Sequence, residues 1–330
     1  MPLSGYYLIM RANEKEAEKD GTKKNPGLHD CVIAGAGPGG LQAAIYLCRY
    51  CRDVLVLDRG GGRTRHARQI ENFLTHPAIS GRELIERGMA QAARFGARTE
   101  RETVVSIATE DGQDGPSIFL IQTSGGRLYR ARTVIVSTGA QDVLPVIGNL
   151  HKYFALSFFT CVDCDGYKTR GRKTVILGNS EAALRLALAV KQMYTKDITI
   201  VLDGYTPPPG YADEMKHEGI EVFFDSPASL GGEDELRSLE LKSGRHIPCE
   251  AVLSNYGYRL NDSFLEGMKD RLKRDATGQK YQTNRHFESS LPGLYMAGPL
   301  AGSDQAIIAA GEGAIAALDI NKKLIELYPA

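Results

Sequence analysis

The 330-residue chain carries no net charge, because 40 Lys and Arg balance 40 Asp and Glu. That balance removes the electrostatic signature of a protein that binds nucleic acid or lies on a membrane. No apolar run approaches the ~18 residues of a transmembrane helix. A secretory leader would place basic residues before an apolar stretch, whereas here "LSGYYLIM" (3–10) precedes the charged "RANEKEAEKDGTKK" (11–24). Residues 1–28 therefore read as an arm that buries little surface. Six cysteines without a leader point to a reducing compartment, the cytoplasm, where a CxxC is catalytic or metal-binding sooner than structural. The seven histidines form no HxxxH-like pair, so no metal is expected.

What is present is the composition of an ordinary α/β protein, 42% hydrophobic and 24% charged. A chain of this length suggests two domains and buries roughly three-quarters of its unfolded surface. The first organising motif is "HDCVIAGAGPGGLQAAIYLCRY" (29–50), an apolar strand, a glycine turn and an Ala/Leu-rich helix. Gly35 permits the tight turn, Gly37 lets backbone approach a pyrophosphate, Pro38 opens the helix, and Gly40 lets helix and strand pack closely. The helix N-terminus offers a positive end to phosphate. A second strand, "DVLVLDR" (53–59), ends in Asp58, about 20 residues on, where a carboxylate can accept ribose hydroxyls. Strand, helix, second strand and acid in register indicate a dinucleotide site, but do not separate NAD from FAD.

Two CxxC pairs follow different logic. Cys48-Arg-Tyr-Cys51 sits at the end of the first helix and reads as buried helix thiols, since Cys31 and Cys249 lie elsewhere and no fourth ligand completes a zinc site. Cys161-Val-Asp-Cys164-Asp165-Gly166 stands on a turn entering a helix, where thiol pKa falls and a pair three apart can close and open a disulfide.

Downstream, "TVVSIAT" (103–109), "SIFLIQT" (117–123) and "RLYRARTVIVSTGA" (127–140) read as a short β-rich layer. "PGLYMAGPLAGSDQAIIAAGEGAIAALDI" (292–320) reads as strand, glycine turn and small-residue helix. With "IENF" (70–73) and the CxxCDG, these segments resemble the low-molecular-weight thioredoxin reductase family over nearly all of residues 29–325. The resemblance implies an α/β fold of two Rossmann-like, three-layer ββα nucleotide-binding domains, the second inserted into the first. The expected boundaries are 29–143 and 257–330 for FAD and 144–256 for the inserted, CxxC-bearing unit. It further implies that FAD is held by Gly35, Gly37, Pro38, Gly40, Asp58, Arg63, Asn72, Val104, Thr138, Gly139, Gly298, Gln305 and Ala306. Cys164 is expected to face the flavin, Cys161 to attack an external disulfide, and Asp165 to handle the thiol proton. One position departs: Ala297-Gly298-Pro299 stands where the family has Ala-Gly-Asp, and proline offers no carboxylate to the ribityl chain.

The inserted unit has a Rossmann skeleton, "KTVILG" (173–178), "NSEAALRLALAVKQMY" (179–194) and "DITIVLD" (197–203), without the family's site. Ser180 replaces the central glycine and Glu181 sets a negative charge where phosphates would lie. Leu202-Asp203-Gly204 stands in place of the basic clamp for a 2′-phosphate. NADPH is not expected as donor, while Asp203 leaves open NADH, another adenine nucleotide, or a second FAD. An intact CxxC beside a degraded NADPH site resembles the pyridine-nucleotide-independent branch, which implies electrons from ferredoxin and delivery to thioredoxin by a homodimer. Arg63, Arg65, His66 and Arg68 form a basic run that could dock an acidic donor, or could instead pair with local carboxylates or touch the cofactor. The open alternatives are a nicotinamide-dependent reductase with an atypical pocket and a redox-sensing flavoprotein without turnover.

Overall fold

The structure is a computed structural model that describes residues 27–110 and 117–328; all but the last two residues of the expected arm lie outside it. β1 (Leu28–Ala34) is buried at Cys31, Val32, Ile33 and Ala34, the unbroken apolar run of a strand covered on both faces. α1 (Pro38–Arg49) begins after Gly37 with Pro38 in its first turn. β2 (Val54–Leu57) pairs parallel to β1 with Cys31 opposite Val54. The short α2 (Arg63–His66) and the longer α3 (Gly81–Arg94) follow. The Ser80 hydroxyl caps α3 by accepting from the Glu83 N–H at 3.2 Å.

β3 (Arg98–Glu100), β4 (Val104–Glu110), β5 (Ile118–Thr123) and β6 (Leu128–Val136) complete one sheet in the order β3-β2-β1-β6-β5-β4. The β-rich segments are thus continuous with the parallel strands through β6, and their Ile107, Phe119 and Ile121 pack onto the face of β1 and β2. β6 serves both halves: Leu128–Ala131 pair antiparallel with β5, and Arg130–Val136 pair parallel with β1. Side chains alternate across β1 and β2. Ile33, Val54 and Val56 face Ala43, Leu47 and Ile320, while Val32, Leu55 and Leu57 face Phe119, Ile121 and Phe264. Each such fully buried aliphatic side chain stabilises the fold by ~1.5–3 kcal/mol.

The chain leaves this unit through β7 (Ala140–Asp142) and builds a second, all-parallel sheet. Its elements are β8 (Phe158–Phe159), α4 (Val162–Asp165), β9 (Thr174–Gly178), α5 (Glu181–Met193), β10 (Ile198–Leu202), α6 (Tyr211–His217) and β11 (Glu221–Phe223). An antiparallel flap of β12 (Pro227–Gly231), β13 (Ser238–Leu241) and β14 (His246–Pro248) precedes β15 (Ala251–Asn255), giving the order β11-β10-β9-β15-β8. β16 (Tyr258–Leu260) pairs antiparallel with β7, so exit and return form one ribbon. β17 (Leu294–Met296) rejoins the first sheet beside β6, and α7 (Ala306–Leu327) packs on α1. A Cβ on Gly313 would lie 2.0 Å from the Gly39 carbonyl, so only glycine lets these helices approach this closely. Among the described residues, no helix is long and apolar enough to cross a membrane, and no three His, Cys, Asp or Glu gather as for a metal ion.

Candidate active site

The glycine turn has the geometry a dinucleotide needs. Gly35 sits at φ +104°, and a Cβ there would meet the Ser137 carbonyl at 2.4 Å. A Cβ on Gly40 would meet the Gly35 carbonyl at 2.0 Å, which forces the helix to start tight against the strand. No side chain caps the N-terminus of α1, so its first N–H groups are left to a ligand in the cleft above them. That cleft, of about 250 Å³, runs past Asp58, Val104, Thr138, Gly139, Gly298 and Pro299 to Arg63, Asp304 and Ala306. An uncapped helix end, two glycines that admit no Cβ and a cleft that continues into the cavity at the disulfide fit FAD. Gly35, Gly37 and Pro38 would meet its pyrophosphate.

Several expected contacts are more occupied than the sequence suggests. Asp58 already accepts from the Ala36 N–H at 3.0 Å and the Gly60 N–H at 2.9 Å, so it shapes the turn as well as facing the cleft. Thr138 donates to the Asn261 carbonyl at 2.6 Å, and the Asn261 side chain returns a bond to the Thr138 carbonyl at 3.0 Å. Gly139, at φ +69°, follows. Behind Pro299 lies a carboxylate the sequence reading missed. Glu312 of α7 is buried and accepts from the Gly298 N–H at 2.6 Å and the Ser303 N–H at 2.8 Å. Burial pushes its pKa up against those two donors. It lies two turns beyond Gln305 on the same helix, which is the signal that could have found it.

The second focus is the disulfide between Cys161 and Cys164, whose Cα atoms are 5.3 Å apart. Cys161 occupies the N-cap of α4, and its sulfur accepts from the Cys164 N–H at 3.1 Å. Gln305, the N-cap residue of α7, holds its amide nitrogen 3.5 Å from both sulfurs, and Asn72 donates to the Gln305 oxygen at 2.9 Å. Asn72 and Gln305, expected on the cofactor, therefore also bracket the disulfide. A cavity of about 560 Å³ lies against the pair and shares Gly60, Gly61, Gly62, Ala140, Asn261 and Ala306 with the dinucleotide cleft. A group reaching along the cleft thus comes to the disulfide.

Several charges around this cavity are paired. Arg63, expected on the cofactor or a partner, donates to Asp142 at 2.9 Å and to Asp304 at 2.5 Å. Burial works against its charge, but the two carboxylates outweigh burial and raise its pKa. Thr160, next to Cys161, donates to the other Asp142 oxygen at 3.0 Å. Arg65 pairs with Glu86 at 3.3 Å, so two of the four basic side chains in that run are neutralised locally. Asp165 pairs with Lys168 at 2.8 Å, Lys168 reaches Glu71 at 3.2 Å, and the Tyr167 hydroxyl donates to Glu71. Asp142, Asp304 and the Glu71–Lys168 pair carry no motif of their own, because their partners come from distant segments. The other CxxC is also corrected: Cys48 is buried, but Cys51 lies past the helix end, exposed and at φ +59°, and is not a buried helix thiol.

In the inserted unit Ser180 stands at the N-cap of α5 without a side-chain cap bond, and Glu181 pairs with Arg185. Asp203, considered above as a ribose acceptor, has both oxygens engaged, from the Ser226 hydroxyl at 2.6 Å and the Tyr256 hydroxyl at 2.8 Å. Burial, then that carboxylate, drive the Tyr256 pKa far up, so the phenol keeps its proton and its bond.

The family described as pyridine nucleotide-disulphide oxidoreductase matches residues 29–313. The chain is 28% identical to a "34.2 kDa protein in rubredoxin operon" of Clostridium pasteurianum, over 89% of this chain and 96% of that one. It is 26% identical to thioredoxin reductase of Listeria innocua, over 92% and 96% respectively. The crystal structure of HlmI superposes with a TM-score of 0.84 at 27% identity, covering 92% of this chain and 94% of the other.

Proposed function

The chain belongs to the pyridine nucleotide-disulphide oxidoreductase family as a thioredoxin-reductase-like, flavin-dependent disulfide oxidoreductase, and from that premise we propose that its electrons come from ferredoxin rather than NADPH and leave for thioredoxin or a similar protein disulfide. The observation that carries this reading is the state of the inserted unit. Asp203 spends both oxygens on Ser226 and Tyr256, and Glu181 sets a carboxylate at the helix end where phosphates would dock. A ribose would have to displace two buried-side hydroxyl bonds. The same contacts weigh against NADH and a second FAD in that pocket.

Bound FAD would supply the chemistry of taking electrons singly and giving them up as a pair. Gln305 and Asn72 hold the Cys161–Cys164 pair against the cofactor cleft, and the N-cap position favours the thiolate of Cys161 once the pair is reduced. Cys161 is assigned the attack on the partner disulfide, Cys164 the resolution and Asp165 the proton. With Arg63 and Arg65 already paired, the donor's docking charge falls to Arg68, which lines an open groove with His66, His151, Leu144 and Phe154. The stripe Ile308, Ile315, Leu318 and Ile325 on α7 is left exposed, which supports its covering by a second copy of the chain in a homodimer. The test is one anaerobic titration of the flavin's absorbance with NADPH, NADH and reduced ferredoxin. Bleaching by ferredoxin alone is expected; bleaching by stoichiometric NADPH overturns the donor assignment.

A further inference from the structure

Asp165 does not stand alone beside the redox pair. Lys168, one turn on, donates to it at 2.8 Å and reaches Glu71, from the segment that carries Asn72, at 3.2 Å. Glu71 also accepts from the Tyr167 hydroxyl. Asn72 bonds Gln305, and Gln305 touches both sulfurs. Side-chain contacts thus join Lys168 to Asp165 and Glu71, and Asn72 through Gln305 to the sulfurs, while Asp165 directly follows Cys164 and Asn72 directly follows Glu71 along the chain. Lys168 is 22% exposed and lies over the Phe159 and Tyr167 rings, so its charge is little screened by solvent. Burial opposes that charge, but Asp165 and then Glu71 outweigh it and raise the Lys168 pKa. The other ionisable side chains of the cavity are Arg59, Arg63, His66, Asp142 and Asp304, and Arg63 is neutralised by the two aspartates.

We propose that Lys168 is a positioning residue that holds Asp165 in place as the proton acceptor for Cys164, and that Glu71 opposes it by sharing the same ammonium. This rests on Cys161 and Cys164 being the exchanging pair. In the exchange, the Cys161 thiolate attacks a partner disulfide, one partner sulfur bonds to Cys161, and the other leaves as thiolate. Cys164 then gives its proton to the Asp165 carboxylate and attacks the Cys161 sulfur. The internal disulfide re-forms, the mixed disulfide breaks and the second partner thiolate leaves. Two electrons pass to the partner, and its two sulfurs take up the two protons lost by the cysteines. Only the second step needs a base, so only the second step should sense Lys168.

The holoenzyme carrying Cys51→Ser, which removes the exposed free thiol and serves as the wild-type background, is reduced with dithiothreitol, desalted and mixed with Ellman's reagent in a stopped-flow, and the two thionitrobenzoate releases are followed against pH. In Lys168→Met the second phase should slow by about tenfold, as expected when a general base is no longer held in place. Lys168→Arg should restore its rate. Glu71→Gln, which frees the ammonium for Asp165, should speed it, and the first phase should keep its rate in all three. A loosened loop would change both variants the same way. Superimposable profiles for Lys168→Met and wild type, or parallel changes for Lys168→Met and Glu71→Gln, overturn the inference. Absence of any second phase in the wild type would instead overturn the exchange reading on which it rests.

Discussion

Glu312→Gln isolates how the chain holds its cofactor turn without the family's aspartate at position 299. The carboxylate receives one N–H on each oxygen, from Gly298 and Ser303, and both donors belong to the turn that lines the FAD cleft. An amide has one acceptor oxygen, so one bond is lost, the other becomes neutral, and the amide NH₂ faces a backbone N–H. A hydrogen bond to a charged group contributes ~1.5–3 kcal/mol. Gly302 gives no room to reorient, since a Cβ there would already collide with the Glu312 carboxylate. A cost of about 2 kcal/mol expressed in the bound turn weakens FAD roughly 30-fold, at 1.4 kcal/mol per decade. Global stability should fall by less. Burial raises the Glu312 pKa, so the folded chain binds a proton more readily than the unfolded one. That contribution is present below the ordinary Glu range and lost as pH rises through the raised value. At neutral pH, glutamine therefore removes a desolvated charge and offsets part of the lost bonding. Apoprotein reconstitution followed by flavin fluorescence gives the affinity, and the apoprotein Tm against pH gives the stability. An FAD affinity within threefold of wild type would refute the reasoning.

Three further outcomes are expected. Cys161→Ser and Cys164→Ser should each keep FAD, measured by absorbance, and lose thioredoxin reduction in an insulin-turbidity assay; near wild-type turnover in either would remove this pair from the chemistry. Ser180→Gly with Glu181→Asn, Asp203→Arg and Gly204→Arg should create NADPH affinity that the parent lacks, at ~1–3 kcal/mol per repaired contact. Calorimetry would read it, and because Asp203→Arg breaks the Ser226 and Tyr256 bonds, the Tm should fall. Iodoacetamide at pH 8 should label Cys51 alone among the four free cysteines of the oxidised native protein. Burial pushes Cys31 and Cys249 up to about 12 and Cys48 to about 11, so the stability of their thiol forms is present below the ordinary cysteine range and lost only as pH climbs toward those values. Mass-spectrometric labelling of Cys31 or Cys249 at pH 8 would contradict this.

The amino-acid sequence by itself determined the parts of this protein whose physics is local. Gly35 and Gly40 could be read in advance because a turn at positive φ and a strand–helix contact with no room for Cβ admit one residue type, and the spacing states where. Cys161-x-x-Cys164 could be read because the pair stands on a turn entering a helix and continues into Asp165-Gly166, whereas Cys48-x-x-Cys51 has the same spacing at a helix end and stays free. The difference between the starts of α1 and α5 was equally legible, as Gly37 against Ser180-Glu181, although neither carries a side-chain cap. Only the tertiary structure decided which charges meet. Arg63 belongs with Asp142 and Asp304, from positions 79 and 241 residues away, and not with a free basic patch. Glu71 meets Lys168, Asp203 meets Tyr256, and Glu312 closes the turn that Pro299 cannot hold. Ion pairs and buried carboxylates have no fixed spacing along a chain. Their partners are chosen by distance in space within a low-dielectric interior, so they become visible only when the two sheets and the ribbon between them bring remote segments together.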